Sequence, residues 1–131
     1  MFLPFARILR PTPPSLSLAD WAGFWVDEHG SRMELICCGN RVDGSYHTTF
    51  HPSKGRETFA LTGFIQDALI SFTVHFAGHG SLACWVGELG RDETDATILR
   101  TAWLLTERLK PGKGPATALS GNNEFRRLPV A

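Results

Sequence analysis

The chain has no excess charge of either sign. Its 13 Lys and Arg residues are matched by 13 Asp and Glu residues, a formal net charge of +0. A nucleic-acid binder shows a basic footprint, and none is present. A basic amphipathic stretch that could lie on a membrane surface is also missing. Cysteine is sparse: Cys37, Cys38 and Cys84. The count is odd, and the adjacent pair should face opposite sides of a strand, so this is not a disulfide framework. Buried thiols are the expectation. Long apolar runs are lacking too, and no run approaches the ~20 residues a membrane-spanning helix needs. The apolar start Met1-Phe2-Leu3 is broken by Pro4, Arg7 and Arg10, too early for the apolar region of a signal peptide. The compartment is left open. Nothing reads as a long amphipathic helix.

What the chain does have is punctuation. Gly 13 and Pro 8 fit many short turns, and 43% apolar residues suffice for one sizeable core. The length of 131 residues is that of one domain. Residues 1–19 hold Pro4, Pro11, Pro13 and Pro14 and read as an extended, poorly ordered arm. The domain, 20–131, should start near Asp20. From there strand-like segments alternate with turns. They run Trp21–Glu28, Ser31–Cys38, Arg41–His51, Arg56–Gln66, Leu69–Ala77, Ser81–Leu89, Thr97–Thr106 and Leu119–Leu128. Short connections make neighbours antiparallel. Eight such strands predict an all-β, eight-stranded antiparallel up-and-down β-barrel, with a sandwich as the alternative. Such a barrel is filled by side chains or holds one small ligand.

Strand side chains alternate, so one face of each segment can be read off. Thr97–Thr106 puts Leu99, Thr101, Trp103 and Leu105 together. The matching faces elsewhere hold Trp25, Asp27 and His29; Ser31, Met33 and Leu35; Tyr46 and Thr48; Phe72, Val74 and Phe76; Ser81, Ala83 and Trp85; and Leu119, Gly121, Asn123 and Phe125. These faces are polar or aromatic toward one end and aliphatic toward the other. Asp27, Ser31, Tyr46, Thr48, Ser81 and Asn123 are many polar groups for a dry core, where each must be satisfied. Either that end is simply solvated, or it is a barrel mouth that takes a polar ligand.

These segments resemble the avidin and streptavidin family of biotin-binding barrels. Gly23-Phe24-Trp25 with Gly30-Ser31 is similar to the family's first hairpin. Ser31-Arg32-Met33-Glu34-Leu35, Gly44-Ser45-Tyr46, Leu61-Thr62-Gly63 and Trp85-Val86-Gly87 resemble its second, third, fourth and sixth strands. Thr101-Ala102-Trp103-Leu104-Leu105-Thr106 is the strongest motif, and Leu119-Ser120-Gly121-Asn122-Asn123-Glu124-Phe125 resembles the last strand. The ordered series covers residues 21–128. The resemblance implies a non-enzymatic protein with biotin as bound ligand, no cofactor and no metal. It implies Asp27, Ser31 and Tyr46 at the ureido oxygen, and Thr48 and Asn123 at the ureido N–H groups. It implies an aromatic box of Phe76, Trp85 and Trp103 with Leu105, and Ser81 with backbone groups after Phe50 at the valerate carboxylate.

The chain departs from the family pattern at several points. Asp27 stands where an amide donor is usual, and an ionised carboxylate only accepts. His29 replaces an aliphatic residue, Ala83 a hydroxyl, and Phe76 a larger Trp. The Trp that tetrameric members lend to a neighbour falls on Pro115. A homo-oligomer is expected, with a dimer favoured over a tetramer. The competing reading is a barrel of the same family that has lost tight biotin binding, and either takes another small ligand or serves as a protein-interaction module. The pairs His47/His51 and His75/His79 invite a metal. Four strand residues span ~13 Å, too far for two side chains to meet at one ion.

Overall fold

Alternation of apolar and polar side chains forms eight strands and decides which face of each turns inward. The computed structural model describes residues 20–48, 57–107 and 117–129. Its strands are β1 (Gly23–Asp27), β2 (Arg32–Cys38), β3 (Arg41–His47), β4 (Thr58–Gln66), β5 (Leu69–Phe76), β6 (Ser81–Arg91), β7 (Thr97–Glu107) and β8 (Thr117–Arg127). Each pairs antiparallel with the next. β8 returns to β1 through Trp25↔Arg127, Val26↔Arg126 and Asp27↔Phe125, so the sheet is a closed barrel. This is the expected up-and-down barrel, and closure removes the sandwich alternative. The expected arm over 1–19, Phe50 and Pro115 lie outside the described residues.

Element ends differ modestly from expectation. β1 is shorter than Trp21–Glu28, because Trp21 is used otherwise: it is fully buried, and its indole donates to the Asp67 carbonyl at 3.2 Å. The Trp25 indole in turn donates to the Trp21 carbonyl at 3.0 Å. The chain entering β1 is thereby tied to the β4–β5 turn and covers that end of the barrel. β6 and β7 run longer than read, through Arg91 and Glu107, because every residue of β6 pairs across to β7. Closure is clamped by Arg127, whose guanidinium donates to the carbonyls of Asp20 and Ala22 and lies 5.4 Å over the Trp25 ring.

The covered end is packed by Leu35, Val42, Ile65, Ile70 and Leu99, all buried. Trp25, Met33, Phe72, Val74 and Phe125 fill the middle. Burial of each large side chain contributes roughly 1.5–3 kcal/mol. The opposite end, where the β1–β2 and β5–β6 turns lie, is the mouth. Leu119, read as inward, is 53% exposed there. The expectation of buried thiols fails for Cys38 and Cys84, which are exposed, while Cys37 packs partly against the core. Alternation is the reason: Ala83 and Trp85 take the interior, so Cys84 between them faces out.

Candidate ligand-binding site

The mouth is shaped first by a turn. β1 ends at Asp27, and the chain reverses through Glu28-His29-Gly30 into Ser31. Gly30 adopts φ 86°, a left-handed conformation suited to glycine. The Asp27 carboxylate organises this turn: its Oδ1 accepts the backbone N–H groups of His29 and Ser31, each at 2.9 Å. Aspartate often wraps its own turn this way. Its Oδ2 accepts from Asn123 Nδ2 at 3.2 Å, across the β1–β8 seam. Burial pushes the Asp27 carboxyl up from its ordinary value and the nearby Glu28 charge adds to this, while the two turn N–H groups and His29 pull it back.

Asn123 is the hub. Its Nδ2 donates to Asp27 and also to Glu28 Oε1 at 2.8 Å. Its Oδ1 accepts from the Trp85 indole at 3.3 Å, and its backbone carbonyl accepts from Thr101 Oγ1 at 3.1 Å. The partners fix the orientation of the amide. Reversed, its carbonyl would face two carboxylates and its NH2 group the indole N–H. Glu28 also accepts the Glu124 backbone N–H at 2.9 Å. Partial burial raises the Glu28 carboxyl, but the hydrogen bonds from Asn123 and Glu124 outweigh this and hold it below its ordinary value.

Aromatic rings form the wall. Phe72 stacks on Trp85 at 5.1 Å and 9°, Trp85 meets Tyr46 at 5.2 Å, and Tyr46 meets Phe76 edge-on at 6.0 Å. Burial pushes the Tyr46 phenol up to about 12, so it keeps its proton at neutral pH and can donate. Ser31 is fully buried. Its hydroxyl makes no hydrogen bond of normal geometry among the described residues, although it lies close enough to Tyr46 to favour the phenolate. Trp103 lies opposite Gly121, where a Cβ would sit 2.5 Å from the indole ring. Gly121 is therefore what lets Trp103 lie flat against β8.

A cavity of about 190 Å³ results. Of the residues singled out in the sequence, Asp27, Tyr46, Thr48, Phe76, Trp85, Trp103, Leu105 and Asn123 line it, joined by His29, Ala83, Gly121 and Asn122. Ser31 is not on its wall. Ser81 lines a neighbouring cleft with His75, Leu82, Thr106 and Glu107, and Phe76 borders both spaces. Sequence reasoning missed Glu28, which alternation assigns to the outside. At a turn alternation lapses, and the position beside Asp27 was the available signal. It also missed Gly121 as the residue that seats Trp103. Among the described residues no group of three His, Cys, Asp or Glu side chains is placed to hold a metal. His47 and His79 instead pair with Thr58 and Glu57, at 3.1 and 2.7 Å.

A closed up-and-down barrel with a ring-walled polar cavity at one mouth is the architecture of barrels that hold one small ligand. The Avidin family model matches residues 17–128, and the chain belongs to that family. Among solved structures, the biotin binding protein from chicken is 27% identical, with a TM-score of 0.71, covering 82% of this chain and 95% of its own. Xenavidin is 25% identical, with a TM-score of 0.72, covering 86% of this chain and 100% of its own. The rhizavidin–biotin complex aligns with a TM-score of 0.70 over 84% of this chain and 93% of its own. At 21% identity, that last likeness concerns the fold alone. No curated protein matches the chain.

Proposed function

We propose that the chain binds biotin, or a biotin-like small molecule, in the mouth of the barrel, and does no chemistry on it. One observation supports the reading: in a chain of the Avidin family, six strands converge hydrogen-bonding groups and rings on a single cavity. In this reading the Tyr46 hydroxyl faces the ureido oxygen, beside Asp27, and the buried Ser31 hydroxyl reaches it only if the wall shifts on binding. Thr48 and the Asn123 carbonyl accept from the ureido N–H groups. Phe76, Trp85, Trp103 and Leu105 enclose the apolar ring body. The tail leaves past Phe76 toward Ser81. Self-association, with a dimer favoured, uses the outer face of β6 and β7, where Leu82, Val86 and Leu104 are about half exposed.

A second reading has a specific observation behind it. Both Asn123 N–H donors are already committed to carboxylates, and Asp27 offers none while ionised. Ala83 adds no hydroxyl. These features favour a barrel that has lost tight biotin binding. Calorimetric titration with biotin, with tryptophan fluorescence as a parallel readout, tests the proposal. Saturable one-to-one binding is expected. Absence of binding at millimolar biotin, with the barrel folded by circular dichroism, would refute it in favour of the second reading.

A further inference from the structure

We propose that the head end of this cavity prefers a cationic, donor-only ring group, a cyclic guanidinium or amidinium, over a neutral urea. This rests on the biotin-shaped reading above and names the chemistry of the head group within it.

The argument is a count of lone pairs and protons. An ionised carboxylate offers roughly four acceptor positions. Asp27 has used three: two on the N–H groups of its own turn and one on Asn123. One acceptor remains and no donor. Asn123 has spent both N–H protons on Asp27 and Glu28, and one carbonyl lone pair on Trp85. It too can only accept. The Ser31 and Tyr46 hydroxyls can turn either way. A neutral urea brings an oxygen that needs donors, yet at this end it meets a carboxylate. A cyclic guanidinium of the same shape presents N–H groups on every polar edge, and each remaining acceptor can take one.

The walls point the same way. Tyr46, Trp85 and Trp103 border the space, and aromatic rings that turn a face to it attract cations. Among the described residues no Lys or Arg lines the cavity. Asp27, with Glu28 beside it, supplies negative charge, and His29 is the one basic side chain among the described residues that line it.

The test is calorimetry at neutral pH with three probes. Biotin carries the urea. 2-Iminobiotin carries a protonated cyclic guanidine on the same frame. Benzamidine is an aromatic amidinium without that frame. Wild type should bind 2-iminobiotin about tenfold or more tighter than biotin, the scale of a charge-assisted hydrogen bond against an unmet one. Asp27→Asn, which keeps Oδ1 for the turn, should abolish or reverse that ratio. Glu28→Gln leaves the turn intact and should narrow the ratio by about threefold, as a partly exposed charge does. That variant decides the matter if Asp27→Asn fails to fold. Wild type binding biotin as tightly as 2-iminobiotin, or more tightly, overturns the inference and leaves the biotin reading standing. If only benzamidine binds, the biotin-shaped frame is wrong, and the inference falls together with the biotin reading on which it rests. If no probe binds, both fall.

Discussion

Gly121→Ala tests how the wall of the site is held. The added Cβ would lie 2.5, 2.7 and 2.9 Å from Cζ2, Cε2 and Nε1 of Trp103. Carbon contacts are comfortable at about 3.5–4.0 Å, so the indole must move by close to an ångström or turn out of the cavity. Overpacking of this kind costs about 1–3 kcal/mol. One term opposes it. Gly121 is not among the glycines at positive φ, so alanine fits its backbone and gains about 0.4–1 kcal/mol by restricting the unfolded chain. The clash wins, and a net loss of about 1–2 kcal/mol is expected. In a chain of this size that lowers Tm by roughly 3–8 °C. Ligand affinity should fall as well, because Trp103 lines the cavity. Trp103→Phe removes the ring atoms that clash, so adding it to Gly121→Ala should recover most of the lost stability. A thermal melt of the four members of this cycle, with ligand titration of each, reads both effects. An unchanged Tm and affinity for Gly121→Ala, or no coupling with Trp103→Phe, would refute the account.

Three further outcomes follow from other contacts. Asp92 Oδ1 accepts from the Thr94 N–H, the Thr94 hydroxyl and the Ala96 N–H, and its Oδ2 pairs with Arg126 at 2.6 Å. Hydrogen bonds from Thr94 and Arg126 hold this carboxyl well below the ordinary aspartate value. Its stabilising contribution is therefore present above that value and lost as pH falls toward the lowered one. Asp92→Ala should lower Tm at pH 7 and flatten the acid limb of a Tm-against-pH curve, and an unaltered limb would count against it. Asp27, whose carboxyl is raised, works with the opposite sign and weakens the fold as pH rises through its folded-state value. Thr101→Val removes the buried hydroxyl that donates to the Asn123 carbonyl, and urea unfolding should show a loss of about 0.5–1.5 kcal/mol. Leu104→Glu on the outer face should shift light scattering from dimer to monomer without lowering the helix-free circular dichroism signal. A wild type that is already monomeric at micromolar concentration would contradict the self-association claim.

The barrel was legible because its cues were local and repeated. Turn residues recur at short intervals, and Phe72, Val74 and Phe76 alternate cleanly enough to give β5 its inward face. The same alternation put Asp27, Tyr46, Trp85, Trp103 and Asn123 on the interior, and they line one cavity. Two things were not legible. Trp21 looks like the first residue of a strand, but its indole is spent on the Asp67 carbonyl 46 positions away, a partner no local pattern reveals. Glu28 reads as an outward residue, but a turn frees its side chain to reach Asn123, 95 positions along. Sequence reasoning could weigh Asp27 against an amide at the same position. It could not see that the turn would take one carboxylate oxygen and Asn123 the other.

That sharing makes residues 27 and 123 a single unit, and the unit can be tested by exchange. In the family pattern an amide stands at position 27, while an acid or an amide stands on the last strand. This chain has the acid at 27 and the amide at 123, joined at 3.2 Å across the seam that closes the barrel. An acid and an amide always leave one donor facing one acceptor, so closure survives with either order. What inverts is the polarity shown to the cavity. Asp27→Asn alone puts two amides together: Asn at 27 would keep Oδ1 on the turn and aim its NH2 group at the NH2 group of Asn123. Asn123 must then give up that contact or turn away from Glu28 and Trp85. Asn123→Asp alone gathers three carboxylates with Glu28 and loses two donors, which costs about 1–3 kcal/mol for each buried group left unmet. The double exchange, made with Glu28→Gln so that position 28 can donate to the new carboxylate at 123, restores the pair and offers a urea oxygen the donor it lacks. Its Tm should lie above those of both single variants, and it should bind biotin more tightly than either of them or the wild type. Strictly additive effects in calorimetry and thermal melts would mean that the two side chains act independently, and that their contact across the seam has no energetic weight.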